Sequence, residues 1–295
     1  MKKKSTQAKK LKYVHRMAWL VGGPALIVQG LFGWLPLAVG FVLAFQKFYL
    51  FRPSPFVGFS NFQSVLIERP LTAIAFRNTF YYAALSIGLT FLVPIFVAIL
   101  LMEMSKKIIR IMMILWFIPV GSMAGLVIWK WMYNPQYGLF NGILTWLNLP
   151  TLRWLNDPRL AMICLILPGL IMYGPGLIYI ATIQGIPDEL YEAADLEGAG
   201  MRRKIWSITL PRLRPIISMM LILGVIGSLQ VFSQPYVMTG GGPGYATITV
   251  VMSIYQLAFQ SMKYGKGAAL SVTLFLVTMI LVSIQRKYIK EDIDR

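Results

Sequence analysis

Six stretches of this chain run far without a charged residue, and nothing else in it restricts the fold as strongly. Met17 to Gln46 covers 30 residues, Asn78 to Met102 covers 25, Ile111 to Trp129 covers 19 and Leu160 to Pro187 covers 28. Pro215 to Met262 covers 48, and Gly267 to Gln285 covers 19. A helix needs about 20 apolar residues to cross the hydrocarbon core of a bilayer. The 48-residue run is long enough for two helices, but TGGGPGY at 239–245 interrupts it. Three consecutive glycines and a proline do not continue a helix. The pattern predicts one span up to about 237, a non-helical turn, and a short helix at about 248–261 that need not cross. The expected fold class is an all-α membrane protein. About six transmembrane helices are expected, at 17–46, 78–102, 110–131, 160–184, 215–237 and 265–286 of a membrane domain covering 17–288.

Composition agrees with a bilayer as the main solvent. Hydrophobic residues make up 57% of the chain and charged residues 13%, about half the usual share for a soluble domain. The mean hydropathy is +0.65. One cysteine, Cys164, leaves no internal disulfide, and its apolar setting suggests an inert buried thiol. The single histidine, His15, lies in a basic N-terminal segment, so no histidine metal site is expected. The net charge of +17 does not point to nucleic acid, because the bases form short clusters between apolar runs. Membrane lipids are the expected neighbours.

Arginine and lysine set an expected orientation. With a basic cytoplasmic tail at 1–16 and alternation through six spans, 19 of the 28 fall on the cytoplasmic side, which includes the tail at 289–295. That bias places both termini inside. The apolar stretch after the basic start is too long for the core of a cleavable signal peptide, so it is expected to stay as the first span. The nine outer bases face only Glu68 and Asp157. Snorkelling span-end residues account for such an excess, and so would an anionic substrate or an acidic partner.

One block stands apart: EAADLEGAGMRRKIWSITLP at 192–211 is the most charged stretch inside the apolar part of the chain. It falls in an expected cytoplasmic loop at 187–214. Pro187, Asp188 and Glu189 read as a helix start, with proline at the first helical position and acids complementing the dipole. Gly198 and Gly200 offer left-handed exits. A second short helix is expected from Met201 to about Thr209, closed by Pro211 and Pro215. Leu190, Ala193, Ala194 and Glu197 share one broad face, and the two alanines leave room for another surface. Docking of a soluble partner and a merely solvated loop both fit these features.

The block resembles the EAA motif of permease subunits in binding-protein-dependent ABC importers. That motif reads E-A-A, three residues, G, nine residues, I-x-L-P. Glu192, Ala193, Ala194, Gly198, Ile208, Leu210 and Pro211 match every position. Further stretches resemble the sugar-transporting, maltose-type branch. These are FVGFSNFQ at 56–63, WKWMYNPQYGLFN at 129–141, TGGGPGYAT at 239–247 and AFQSMKYGKGAALS at 258–271. The resemblance implies the type I ABC importer permease fold, in which the EAA segment is a cytoplasmic coupling helix. It implies a second, related permease subunit, two ATPase subunits that bind ATP and Mg, and an extracytoplasmic solute-binding protein. It further implies that the motif residues dock on the ATPase, and that the turn at Gly240, Gly241, Gly242 and Pro243 meets the binding protein. The chain has no G-x-x-x-x-G-K-[ST] loop, so it is expected to be a translocation subunit with no cofactor and no enzymatic site of its own.

Polar residues inside spans are candidates for a substrate path. Gln29, Ser122, Tyr173, Gln184, Ser228, Gln230, Ser233, Gln234 and Tyr236 are all uncharged. Such a path suits hydroxyl-rich sugars. Tyr173, Gln230, Gln234 and Tyr236 are the chosen pathway candidates, and interhelical hydrogen bonding is the alternative for each. An ion-coupled secondary carrier is the competing function, and a glycerol-phosphate-type polar solute the competing substrate. A membrane enzyme lacks a span-end cluster of acids, histidines or metal ligands to support it.

Overall fold

The computed structural model describes residues 17–49, 53–102, 104, 106–117, 123–171 and 176–293. Helix dominates and no strand occurs among them; one isolated bridge joins Gln46 to Phe56. The chain divides into two compact units, residues 1–68 with 257–272, and residues 69–256 with 273–295.

In the first unit, α1 (Met17–Ala44) is capped from a distance. The Asn61 side chain, on α2 (Ser60–Leu66), donates to the carbonyls of Ala44 and Gln46, both at 2.9 Å. Those carbonyls sit where a helix end leaves acceptors without partners. Gly265 lies against the same end, so that a Cβ there would strike the Gln46 carbonyl. Lys266 Nζ donates to Ser64 Oγ at 2.5 Å. Phe45 packs edge-on against Phe59, with centroids 5.4 Å apart.

The second unit holds α3 (Pro70–Leu101), α4 (Lys106–Phe117), α5 (Met123–Met132), α6 (Leu139–Trp146), α7 (Ala161–Ile171), α8 (Gly176–Gln184), α9 (Asp188–Leu196), α10 (Met201–Leu229) and α11 (Val250–Tyr255). The last helix, α12 (Tyr264–Ile293), runs through both units. Among the described residues, four helices are long and apolar enough to cross a membrane: α1, α3, α10 and the Tyr264–Lys287 part of α12. The stretches expected as the third and fourth spans are each seen as two shorter helices, α4 with α5 and α7 with α8. Residues 118–122 and 172–175 between them lie outside the described residues, as do the tail at 1–16 and residues 294–295.

Two prolines expected to end a helix do not. Pro211 and Pro215 both lie within α10, which is continuous from Met201 to Leu229. A proline clashes with the carbonyl four residues back and offers it no donor. A π-helical stretch at Ile205–Thr209 relieves this at Pro211, and the Leu210 amide reaches back five residues to Ile205. The same device precedes Pro36: a π stretch at Gly30–Trp34 ends with the Leu35 amide bonded to Gly30. The wider turn moves the offending carbonyl aside while keeping the rod intact.

The helix expected at 215–237 instead stops at Leu229. Pro235 lacks the amide that would bond the Val231 carbonyl, and the Thr249 hydroxyl takes that acceptor at 3.0 Å. Gln230, Gln234 and Tyr236 therefore lie on a broken segment that ends in a π turn at Pro235–Thr239, rather than on a regular span. The short helix foreseen near 248–261 is present as α11, extended by a π turn at Gln256–Gln260.

Among the described residues, two buried apolar clusters organise this unit. One joins Tyr82, Leu126, Trp129, Tyr133, Leu165 and Met238. The other joins Ile95, Ala98, Leu101, Tyr179, Ile183, Ile186 and Leu213, with Ile208 and Tyr191 packed on its flank.

Candidate functional site

Three features of the second unit bear on function: the charged block, a cleft and the glycine turn. The block begins with Pro187, which is extended (ψ 131°) and caps α9 rather than opening it. Asp188 and Glu189 then occupy the first turn, where carboxylates oppose the helix dipole. Gly198 ends the helix at φ +74°, the left-handed exit that glycine makes without a Cβ penalty. Gly200 does not share that role; at φ −67° and ψ 164° it is the extended cap of α10.

No residue of α9 is buried. Leu196 is 92% exposed, and Glu192, Ala193 and Gly198 are exposed as well. Among the described residues, nothing lies within 4 Å of a Cβ placed on Gly198. The motif's second half is anchored: Ile208 packs on the second cluster, and Leu210 is half-buried. Pro211 is exposed. Two side-chain links hold α9 to the start of α10. Lys204 Nζ pairs with the Asp195 carboxylate. The Tyr191 and Thr209 hydroxyls hydrogen-bond at 2.9 Å.

The cleft has a volume of about 640 Å³ and is walled by α3, α7, α8, α10 and the broken segment after it. Its described lining has no charged side chain. Tyr82, Ser86, Thr90, Tyr179, Ser228, Gln230, Ser233 and Gln234 supply the polar groups, and Phe91 and Phe232 the aromatic faces. Two of the four pathway candidates, Gln230 and Gln234, are therefore in the wall. Tyr236 is not. It stacks on Phe232 at 4.8 Å and 20° and meets Tyr255 edge-on at 5.4 Å. Tyr173 lies outside the described residues.

Tyr82, Ser86 and Thr90 were missed by the sequence reading, although the signal was present. They are four residues apart, so one helical face of an otherwise apolar span carries all three. Gly224 and Gly227 on α10 also line the cleft, and each has open space where a Cβ would go.

The glycine turn is stiffly built. Gly240, Gly241 and Gly244 have φ of +62°, +90° and +56°. Thr239 Oγ1 and Thr247 Oγ1 bond at 2.7 Å, and Thr247 donates to the Gly242 carbonyl at 2.7 Å. Asn78 on α3 donates to the carbonyls of Tyr245 at 2.8 Å and Ile248 at 3.1 Å, while Thr79 Oγ1 accepts from the Val250 amide at 3.0 Å. The four residues expected to face a partner divide. Gly240 is exposed, but Gly241 is buried, and a Cβ on it would lie 3.3 Å from Met252 Cε. Tyr245, not singled out beforehand, is 56% exposed at the tip. Beside it, Arg69 carries a buried Nη1 with no hydrogen-bond partner among the described residues. Burial pushes its guanidinium below the ordinary range, and Tyr245 opposes that shift.

Comparison with known proteins extends this picture. The trehalose/maltose transport system permease protein MalF of Thermococcus litoralis is 35% identical over 277 residues, covering 92% of each chain. The sulfoquinovosyl glycerol transport system permease protein SmoG of Agrobacterium fabrum is 33% identical over 281 residues, covering 93% of this chain and 90% of that one. A chain in the crystal structure of a bacterial alginate ABC transporter, in complex with an alginate pentasaccharide-bound periplasmic protein, superposes with a TM-score of 0.80. That superposition covers 98% of this chain and 97% of the other at 24% identity, and it establishes a shared fold, that of a type I ABC importer permease. The family described as binding-protein-dependent transport system inner membrane component matches residues 71–290. On that match, and on relatives alike along nearly their whole length, the chain belongs to the inner membrane components of binding-protein-dependent transport systems.

Proposed function

We propose that this chain is the translocation subunit of an ATP-driven importer that takes a sugar or oligosaccharide from an external binding protein. The observation that carries the reading is the uncharged, hydroxyl- and amide-lined cleft of about 640 Å³. Neutral hydrogen-bonding groups and aromatic faces suit a cargo covered in hydroxyls, and the described cleft lining offers no carboxylate for ion coupling. Gln230 and Gln234 are the proposed contacts, together with Tyr173. Tyr236 backs Phe232 rather than touching cargo. Family membership removes the ion-coupled carrier from contention.

In this reading the chain crosses the cytoplasmic membrane six times, with both termini inside. It pairs with a second, related permease above two ATPase subunits, which hold the ATP and Mg. The exposed α9, with Glu192, Ala193, Ala194 and Gly198, docks on an ATPase, and Ile208, Leu210 and Pro211 join it to α10. The turn at Gly240, Gly242, Pro243 and Tyr245 meets the binding protein. Support for such a partner comes from the alginate transporter, which was crystallised with a substrate-bound periplasmic protein.

An acidic glycan is a second reading, and the observation on its side is the buried Nη1 of Arg69 beside the glycine turn, outside the cleft lining. The relatives span both kinds, with trehalose or maltose in one name and sulfoquinovosyl glycerol in another. A glycerol-phosphate-type solute fits the same positive site.

The test is reconstitution of the chain in vesicles with its partner permease, ATPase and binding protein. The binding protein is loaded in turn with trehalose, maltose and alginate pentasaccharide. Uptake that needs ATP and the binding protein is the expected result. Uptake that persists without the ATPase would refute the reading.

A further inference from the structure

We infer that the Tyr191–Thr209 hydroxyl pair is a latch that makes α9 and α10 move as one body, so that Tyr191 is a positioning residue for coupling. The inference rests on the function proposed above and adds to it the residues that transmit the motion. No residue of α9 is fully buried, Tyr191 and Ala194 alone are part-buried, and Gly198 behind it has open space among the described residues on the side where a Cβ would point. The backbone link from α9 to α10 is thus a short glycine-containing turn with nothing packed on it at that point. A push on α9 could be lost as bending there unless side chains bridge the turn.

Two bridges exist. The Lys204–Asp195 ion pair has an Asp195 side chain that is 61% exposed, and pairs of that kind are weak and screened by salt. The second bridge differs in setting. Thr209 is only 5% exposed, and Tyr191 lies on the flank of the buried cluster that includes Leu213 of α10. Their 2.9 Å bond is part-buried on the flank of that cluster, where both residues line a pocket of about 230 Å³. Thr209 closes the π stretch Ile205–Thr209, whose extra residue per turn rotates it relative to a regular helix. The same π stretch that lets α10 run on through Pro211 therefore also sets Thr209 against Tyr191. Along the same unbroken helix, Met220, Leu223, Gly224, Gly227 and Ser228 wall the cleft.

The experiment uses the full transporter complex with Cys164 replaced by alanine. Spin labels are placed at E189C on α9 and M219C on α10, both exposed positions. Distances are measured without nucleotide and after trapping with MgATP and vanadate, alongside ATP hydrolysis. The parent chain should give one narrow distance that trapping leaves unchanged. Y191F and T209V should each broaden it on trapping and raise the detached population about fivefold, the factor that one hydrogen bond of ordinary net strength carries. T209S, which keeps the hydroxyl, should stay narrow, and a Y191F/T209V double variant should be no worse than either single one. A narrow, unshifted distance in Y191F and T209V overturns the latch, and so does a distance in the parent that itself changes on trapping. If the chain fails to recruit an ATPase at all, the proposed function fails and the latch with it. A latch that fails in a complex with normal ATP-driven turnover leaves that function standing.

Discussion

The Thr249 hydroxyl donates to the Val231 carbonyl at 3.0 Å, in the place where Pro235 has no amide to offer. The same oxygen accepts from the Met252 amide at 3.4 Å, and so caps α11. One side chain thus stitches the break after α10 to the start of the next helix. In T249V two backbone groups lose their partner in a buried setting, an effect on the order of 1–3 kcal/mol. The expected outcome is a lowered thermal midpoint for the purified chain, largely restored in T249S.

Gly198 combines a left-handed backbone with open space around it. G198V has no internal clash to suffer, but the left-handed backbone strains it by about 1–2 kcal/mol. Its branched side chain would also stand on the surface proposed to dock. The variant should reach the membrane in near-normal amounts and retain little ATP-driven uptake. Normal uptake together with normal ATPase recovery would count against a docking role. E192K should show the same pattern through charge reversal at the head of the motif.

Leu196 offers a cleaner probe of the same surface. It is 92% exposed, so the isolated chain loses almost no packing in L196D. A central apolar anchor at a protein interface typically carries about 2 kcal/mol. The expected result is a roughly 30-fold weaker association with the ATPase, read by titrating labelled ATPase onto the reconstituted permease pair. Unchanged affinity would place the docking surface elsewhere on the loop.

In the cleft, Q230L and Q234L remove amides while keeping approximate volume. Each hydrogen bond to a sugar hydroxyl contributes about 1 kcal/mol net. The half-saturating concentration of loaded binding protein, or the rate of uptake, should therefore change several-fold. Y236F should have a much smaller effect, because its ring stacks on Phe232 outside the cleft wall. Equal losses in Y236F and Q234L would assign Tyr236 to the path after all.

Much of this architecture could be read from residues alone, because two of the signals are intrinsically local. The glycines at 240, 241 and 244 adopt positive φ, as the TGGGPGY stretch required. The acid-rich start and glycine exit of α9 followed from charge and backbone preference. What escaped depends on neighbours. Pro211 reads as a helix end, and only the π stretch before it reveals why α10 survives. After the stop at Leu229, the Val231 carbonyl is satisfied by a threonine 18 residues away in sequence. The polar row Tyr82, Ser86 and Thr90 was visible as a spacing, but only packing decides whether such a face meets a cleft or another helix. Burial of Gly241 beneath the turn is likewise a tertiary fact.

α10 has 29 residues, which at 1.5 Å each makes a rod about 43 Å long, well beyond the roughly 30 Å of a bilayer's hydrocarbon. A rod of that length held by neighbours near its middle behaves as a seesaw. A sideways displacement at Thr209 would swing Gly227 and Ser228 the opposite way, provided the shaft stays stiff through Pro215 between them. The cavity wall and the foot of the rod would then be two ends of one beam.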